Sequence, residues 1–181
     1  MLLLWLILTS ALSVIAELCL GHLGIAIPLT AMTGFYLSVA FTWKKSLLLF
    51  LASCVLLDLG FGRPFPVSWL LVPYAMLLAQ FWRQHGNTSA FLLQFIPGLA
   101  IGLGTLATSL AYTATRAFLS ETPGEYYASR FAFQNLIGAI CLMPFLTRIL
   151  DSLAKSLSLR CYSTSLHYLT SNDDEELEYD E

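Results

Sequence analysis

The sequence predicts an all-α, polytopic membrane protein with about six transmembrane helices, and three observations carry that expectation. Of its 181 residues, 57% are hydrophobic and only 12% are charged, whereas soluble domains carry about 25% charged residues. The mean hydropathy is +0.70, more apolar surface than a single soluble core of this length can hide. The apolar residues also fall into long runs separated by short basic or Gly/Pro-rich breaks. A helix needs about 20 such residues, within a range of about 17–25, to cross the hydrocarbon core.

Six runs follow in order. Leu2–Leu20 lacks a basic leading region, and Ala16-Glu17-Leu18-Cys19 does not fit a lipoprotein cleavage site, so it reads as an uncleaved first span. Ile25–Trp43 is closed by Lys44 and Lys45. Ser46–Phe61 leads into the turn Gly60–Pro66, and Val67–Trp82 follows with Pro73 inside it. Phe91–Leu119 is overlong and carries Gly98, Gly102 and Gly104. Ala128–Leu150 carries Pro144, and both prolines are expected to kink their spans. These runs make residues 1–150 a transmembrane domain. Leu150, Leu153 and Leu157 share a helical face, which predicts a short cytoplasmic amphipathic helix over 151–170, the frayed end of the sixth span being the other reading. Seven of the 12 acids crowd the last nine residues, so 171–181 is expected to be a disordered acidic tail.

Orientation follows from the loop cations. Lys44, Lys45, Arg83, Arg148, Lys155 and Arg160 fall on one side, and Arg63, Arg116 and Arg130 on the other. The excess marks the cytoplasmic side, with both termini on it. Asn87-Thr88-Ser89, formally a glycosylation sequon, lies on that side and would be inert.

Chemistry is sparse. Cys19, Cys54, Cys141 and Cys161 show no CxxC or Cys/His spacing, and His22, His85 and His167 are scattered. No nucleotide-binding, metalloprotease or serine-hydrolase motif is present. The sequence therefore predicts no catalytic residue, no cofactor, no metal and no nucleic-acid partner, with lipid as the surrounding medium. Asp58 stands out, because an aspartate at the centre of a membrane helix costs about 2.5–3.5 kcal/mol on insertion. It either binds an ion or substrate, or accepts backbone N–H bonds in the turn or pairs with Arg63; the turn reading is the expected one. Glu17 lies at similar depth in the first span and is expected to snorkel to the outer headgroups, a paired site with Asp58 being the other reading. The glycines of Gly98-Leu-Ala-Ile-Gly102 let helices approach closely, either within the protein or against a partner. Few polar residues are expected to converge on a pocket.

From Ile27 to Phe81 the chain reads IPLTAMTGFYLSVAFTWKKSLLLFLASCVLLDLGFGRPFPVSWLLVPYAMLLAQF, and this stretch resembles the rod shape-determining MreD family. The family pattern is a proline opening the second span, a following aromatic such as Tyr36, a basic break, then LLD-x-x-x-G-x-P-hydrophobic-G. Leu56, Leu57, Asp58, Gly62, Pro64 and Phe65 match it, while Pro66 replaces the final glycine. The resemblance covers about a third of the chain. It implies a non-catalytic inner-membrane component of the bacterial cell-elongation machinery, bound to MreC and acting alongside MreB, RodA and a class B penicillin-binding protein. On this reading Asp58, Gly60, Gly62, Arg63, Pro64, Gly98, Gly102 and Glu17 are structural or interaction residues. The fold it implies is similar to the substrate-capture subunits of energy-coupling factor transporters, which supplies the alternative of a vitamin-type transport subunit. Those subunits carry an alanine-x-x-x-alanine patch in the first span, and Ala11 and Ala16 do not match that spacing.

Overall fold

A computed structural model describes residues 2–41, 43–63, 67–85, 92–119, 125–159 and 162, with the side chains of 2, 43–45, 67 and 115–131 excepted. Among them the chain is all-helical: α1 (Leu2–His22), α2 (Leu29–Ala40), α3 (Trp43–Gly60), α4 (Leu71–His85), α5 (Phe95–Leu119) and α6 (Glu125–Ser156). Short 3₁₀ turns at Val67–Leu70 and Leu92–Gln94 lead into α4 and α5. The segments Leu3–His22, Leu92–Ala114 and Ala132–Ser156 are long and apolar enough to cross a membrane, while Leu29–Ala40 and Ser46–Gly60 are shorter apolar helices.

α2 is the axis of the bundle. It touches all five other helices, and every residue from Thr30 to Ala40 is buried. The sequence predicts a span from Ile25, yet the helix begins at Leu29. Pro28 lacks the N–H a helix interior needs, so Ile25–Pro28 runs without helix and the Met32 N–H donates to the Pro28 carbonyl at 3.1 Å to start the helix. Twelve residues give α2 a length of about 18 Å. Of the two prolines expected to kink later spans, Pro73 sits differently and Pro144 lies within its helix as expected. Pro73 and Pro97 each occupy the third residue of their helix, α4 and α5, where the first-turn N–H has no intrahelical acceptor to lose. Pro144 alone lies inside a helix, α6.

Three helices stop in the same way. After α1, the Ile25 N–H reaches the Leu20 carbonyl at 2.9 Å and the Gly24 N–H reaches Gly21 at 3.0 Å. After α3, Arg63 reaches Asp58 at 2.9 Å and Gly62 reaches Leu59 at 3.0 Å; after α6, Leu159 reaches Ala154 at 2.9 Å and Ser158 reaches Lys155 at 3.0 Å. These paired bonds are Schellman stops, which need one left-handed residue. Gly24 (φ 79°), Gly62 (φ 61°) and Ser158 (φ 54°) supply it.

Close contacts knit the helices. α5 and α6 form the most extensive pair. A Cβ added at Gly98 would lie 2.7 Å from the Ala139 carbonyl oxygen, and one at Gly102 would lie 3.0 Å from the Leu136 Cα. This glycine face is therefore closed against the α6 backbone inside the chain, and it offers no surface to a partner. At the far end of α6, Asp151 Oδ1 accepts the Tyr36 hydroxyl at 2.8 Å and the Tyr162 N–H at 2.7 Å. The Tyr162 ring stacks on Tyr36 at 5.7 Å. α6 continues unbroken to Ser156, with Leu150, Asp151 and Ala154 buried in the bundle. Residues 160, 161 and 163–170 of the stretch expected to form an amphipathic helix, and the acidic tail 171–181, lie outside the described residues.

Candidate functional site

Asp58 sits two residues before the end of α3 and is 3% exposed. Its carboxylate is fully engaged by the turn that follows. Oδ1 accepts Arg63 Nη1 at 3.0 Å and the Ser68 hydroxyl at 2.7 Å, and Oδ2 accepts the Ser68 N–H at 3.0 Å. Arg63 Nη1 also donates to Ser68 Oγ at 3.2 Å, and its guanidinium lies 5.1 Å over the Phe61 ring. The backbone of the same aspartate takes the Schellman bond from Arg63, with Gly62 as the left-handed residue. The D-x-x-x-G spacing thus has a physical reason. The aspartate lies one turn before the glycine that ends the helix, so its carboxylate can reach round and fasten the start of the next element. Gly60, the last residue of α3, lets Leu18 of α1 close in, where an added Cβ would lie 2.6 Å from Cδ2. Pro64 lies outside the described residues.

Glu17 does not snorkel. Its Oε2 accepts the Thr30 N–H at 2.6 Å, so α1 supplies an acceptor to the first turn of α2, whose own N-cap, Pro28, offers no side-chain bond. Buried first-turn N–H groups need acceptors, and the helix N-terminus favours a carboxylate. That need outweighs the short reach to headgroups.

Beside Glu17 lies a partly open cavity of about 370 Å³. Glu17 and Gly21 of α1, Pro28 and Thr30 at the start of α2, and Phe50, Cys54 and Leu57 of α3 line it. Arg63 and Ser68 border it from the turn, Asn135 from α6, and Thr105, Thr108, Ser109, Tyr112 and Thr113 from α5. The expectation that few polar residues converge on a pocket is therefore corrected. The signal was present in the sequence, since positions 105, 108, 109, 112 and 113 recur at helical spacing on one face of α5. Among the described residues no group of three or more His, Cys, Asp or Glu could hold a metal, and Cys19, Cys54 and Cys141 are free thiols.

The site belongs to an all-helical chain whose long apolar helices are compatible with a membrane protein. The chain matches no family model, no curated protein and no solved structure.

Proposed function

We propose that this chain is a non-catalytic, six-span component of the bacterial inner membrane, with both termini in the cytoplasm, that scaffolds the cell-elongation machinery through an MreC-like partner. Through that partner it acts indirectly with MreB, RodA and a class B penicillin-binding protein. The observation that supports this reading most is the Asp58 turn. The residues that carry the resemblance to MreD, Asp58 and Gly62 foremost, are spent on ending α3 and fastening Ser68 to it. Polar side chains committed to fastening two elements together suit docking better than turnover. With the Gly98–Gly102 face closed against α6, the turn Gly60–Pro66 is the remaining candidate surface for the partner. Co-purification of the tagged chain in mild detergent, beside its depletion from growing cells, tests the proposal. Capture of an MreC-like protein and loss of rod shape are expected.

The cavity favours a second reading, a substrate-capture subunit for a small molecule. Its signature in the same experiment is a co-purifying ATPase module, with cells that stay rod-shaped after depletion.

A further inference from the structure

The volume of about 370 Å³ falls inside the range of about 300–1,000 Å³ typical of small-molecule sites. The chemistry of the walls narrows what would fit. Thr105, Thr108 and Thr113 each donate their hydroxyl proton back along α5, to the carbonyls of Gly102 at 2.8 Å, Thr105 at 2.9 Å and Leu110 at 2.8 Å. With those protons committed, the three oxygens have only lone pairs left to offer. Glu17 Oε2 accepts the Thr30 N–H at 2.6 Å, with the Thr30 hydroxyl beside the same carboxylate. Arg63, the cation among the lining residues, gives its Nη1 to Asp58 and Ser68. Its charge is matched by Asp58 at 3.0 Å, so the Glu17 carboxylate has no cation of its own within salt-bridge distance among the described residues. Much of the remaining wall is apolar, with Ile27, Phe50, Leu57 and Phe61 among it.

Three hydroxyl oxygens with committed protons, a carboxylate without a salt-bridge partner among the described residues and an apolar floor define a complement. We infer that the cavity is a binding site for a small organic cation, a primary ammonium carried on a compact apolar body. The ammonium has three donors to give and meets Glu17 and the α5 hydroxyl oxygens, while the body lies against Phe50, Leu57 and Phe61. This inference rests on the cavity alone and stands or falls apart from the scaffold reading, which has its own partner test.

The experiment uses the full chain in lipid nanodiscs, with empty nanodiscs as the blank for partition into lipid. Binding is measured for three probes that share a phenylethyl body: 2-phenylethylammonium, neutral 2-phenylethanol and anionic 3-phenylpropanoate. n-Hexylammonium and cyclohexylmethylammonium extend the cationic set. Saturable binding of at least one ammonium, with the alcohol and the carboxylate weaker by about tenfold or more, is the expected result. Glu17→Gln keeps an acceptor for the Thr30 N–H but removes the charge, and it should weaken ammonium binding by about tenfold while the thermal melt stays near wild type. Thr108→Val, which leaves Glu17 and the Asp58 turn in place, should weaken it as well. No ammonium bound up to about 1 mM, equal binding of the alcohol, or preference for the carboxylate would each overturn the inference.

Discussion

At the residue scale, Asp58 shows how far one side chain can be read. Its place in an apolar run and the Gly-Arg-Pro that follows make a turn legible, and an aspartate pairing with Arg63 is among the readings that spacing allows. The Ser68 contacts are not legible, because the partner lies ten positions on, beyond two further possible helix stops. They change the expected behaviour of variants. Read from sequence, Asp58→Asn keeps an acceptor and should be mild. In the structure both oxygens accept, so an amide must turn its NH₂ toward either the Ser68 N–H or the Arg63–Ser68 pair. Leaving a buried donor unmatched costs about 1–3 kcal/mol. Asp58→Asn should therefore lower thermal stability in detergent by that amount, and Asp58→Leu by more. An asparagine protein that melts like wild type would show that the carboxylate is not the fastening. Glu17 teaches the same lesson from the other side. Snorkelling follows from its depth in α1, but the buried N-terminus of α2 is a demand no local pattern announces.

At the element scale, the apolar runs were legible because length and hydropathy are local properties, and the helices fall close to where those runs lie. The ends were less so. Pro28 cuts four residues from α2, and the buried Asp151–Tyr36–Tyr162 cluster carries α6 past Leu150. Asp151 and Tyr36 are 115 positions apart, a separation at which one sequence holds no spacing signal. The α5–α6 pair predicts that Gly102→Leu, pressed against the Leu136 backbone, will cost about 1–3 kcal/mol or more. Membrane abundance should fall, with or without a partner present; normal abundance combined with loss of one partner would instead place that face outside the bundle. The Tyr162 contact adds a pH dependence. Burial, reinforced by the Asp151 charge, pushes the Tyr162 phenol above its ordinary value of 10.0. The unfolded chain ionises first as pH rises, so the stabilisation is complete below that value and is lost from there upward toward the raised folded value. Thermal melts from pH 8 to 12 should decline more steeply for wild type than for Tyr162→Phe, and parallel curves would remove Tyr162 from the account.

At the scale of the whole molecule, the cavity was the least legible feature, since it is assembled from α1, α2, α3, α5, α6 and the Asp58 turn. Only its α5 wall is a helical repeat, and the repeat says nothing of Glu17 across from it. The proposed topology rests on loop charge and on the alternation of six helices. Reporter fusions near Trp43, near His85 and at the C-terminus should report cytoplasm, and one near Pro123 the opposite side. A cytoplasmic signal near Pro123 would break the six-span arrangement. The proposed function depends at this scale on whether the Gly60–Pro66 stretch meets a partner. On that proposal the chain acts through contacts between helices and through its short connections, since lipid is as apolar as leucine and supplies no hydrophobic drive between spans. The most direct measurement places a photo-crosslinking residue at Phe65, within the turn Gly60–Pro66, in the full chain in growing cells. The account predicts an adduct with an MreC-like protein that disappears when Asp58→Leu releases the turn. No adduct with such a protein, in cells that stay rod-shaped after depletion of the chain, would contradict it.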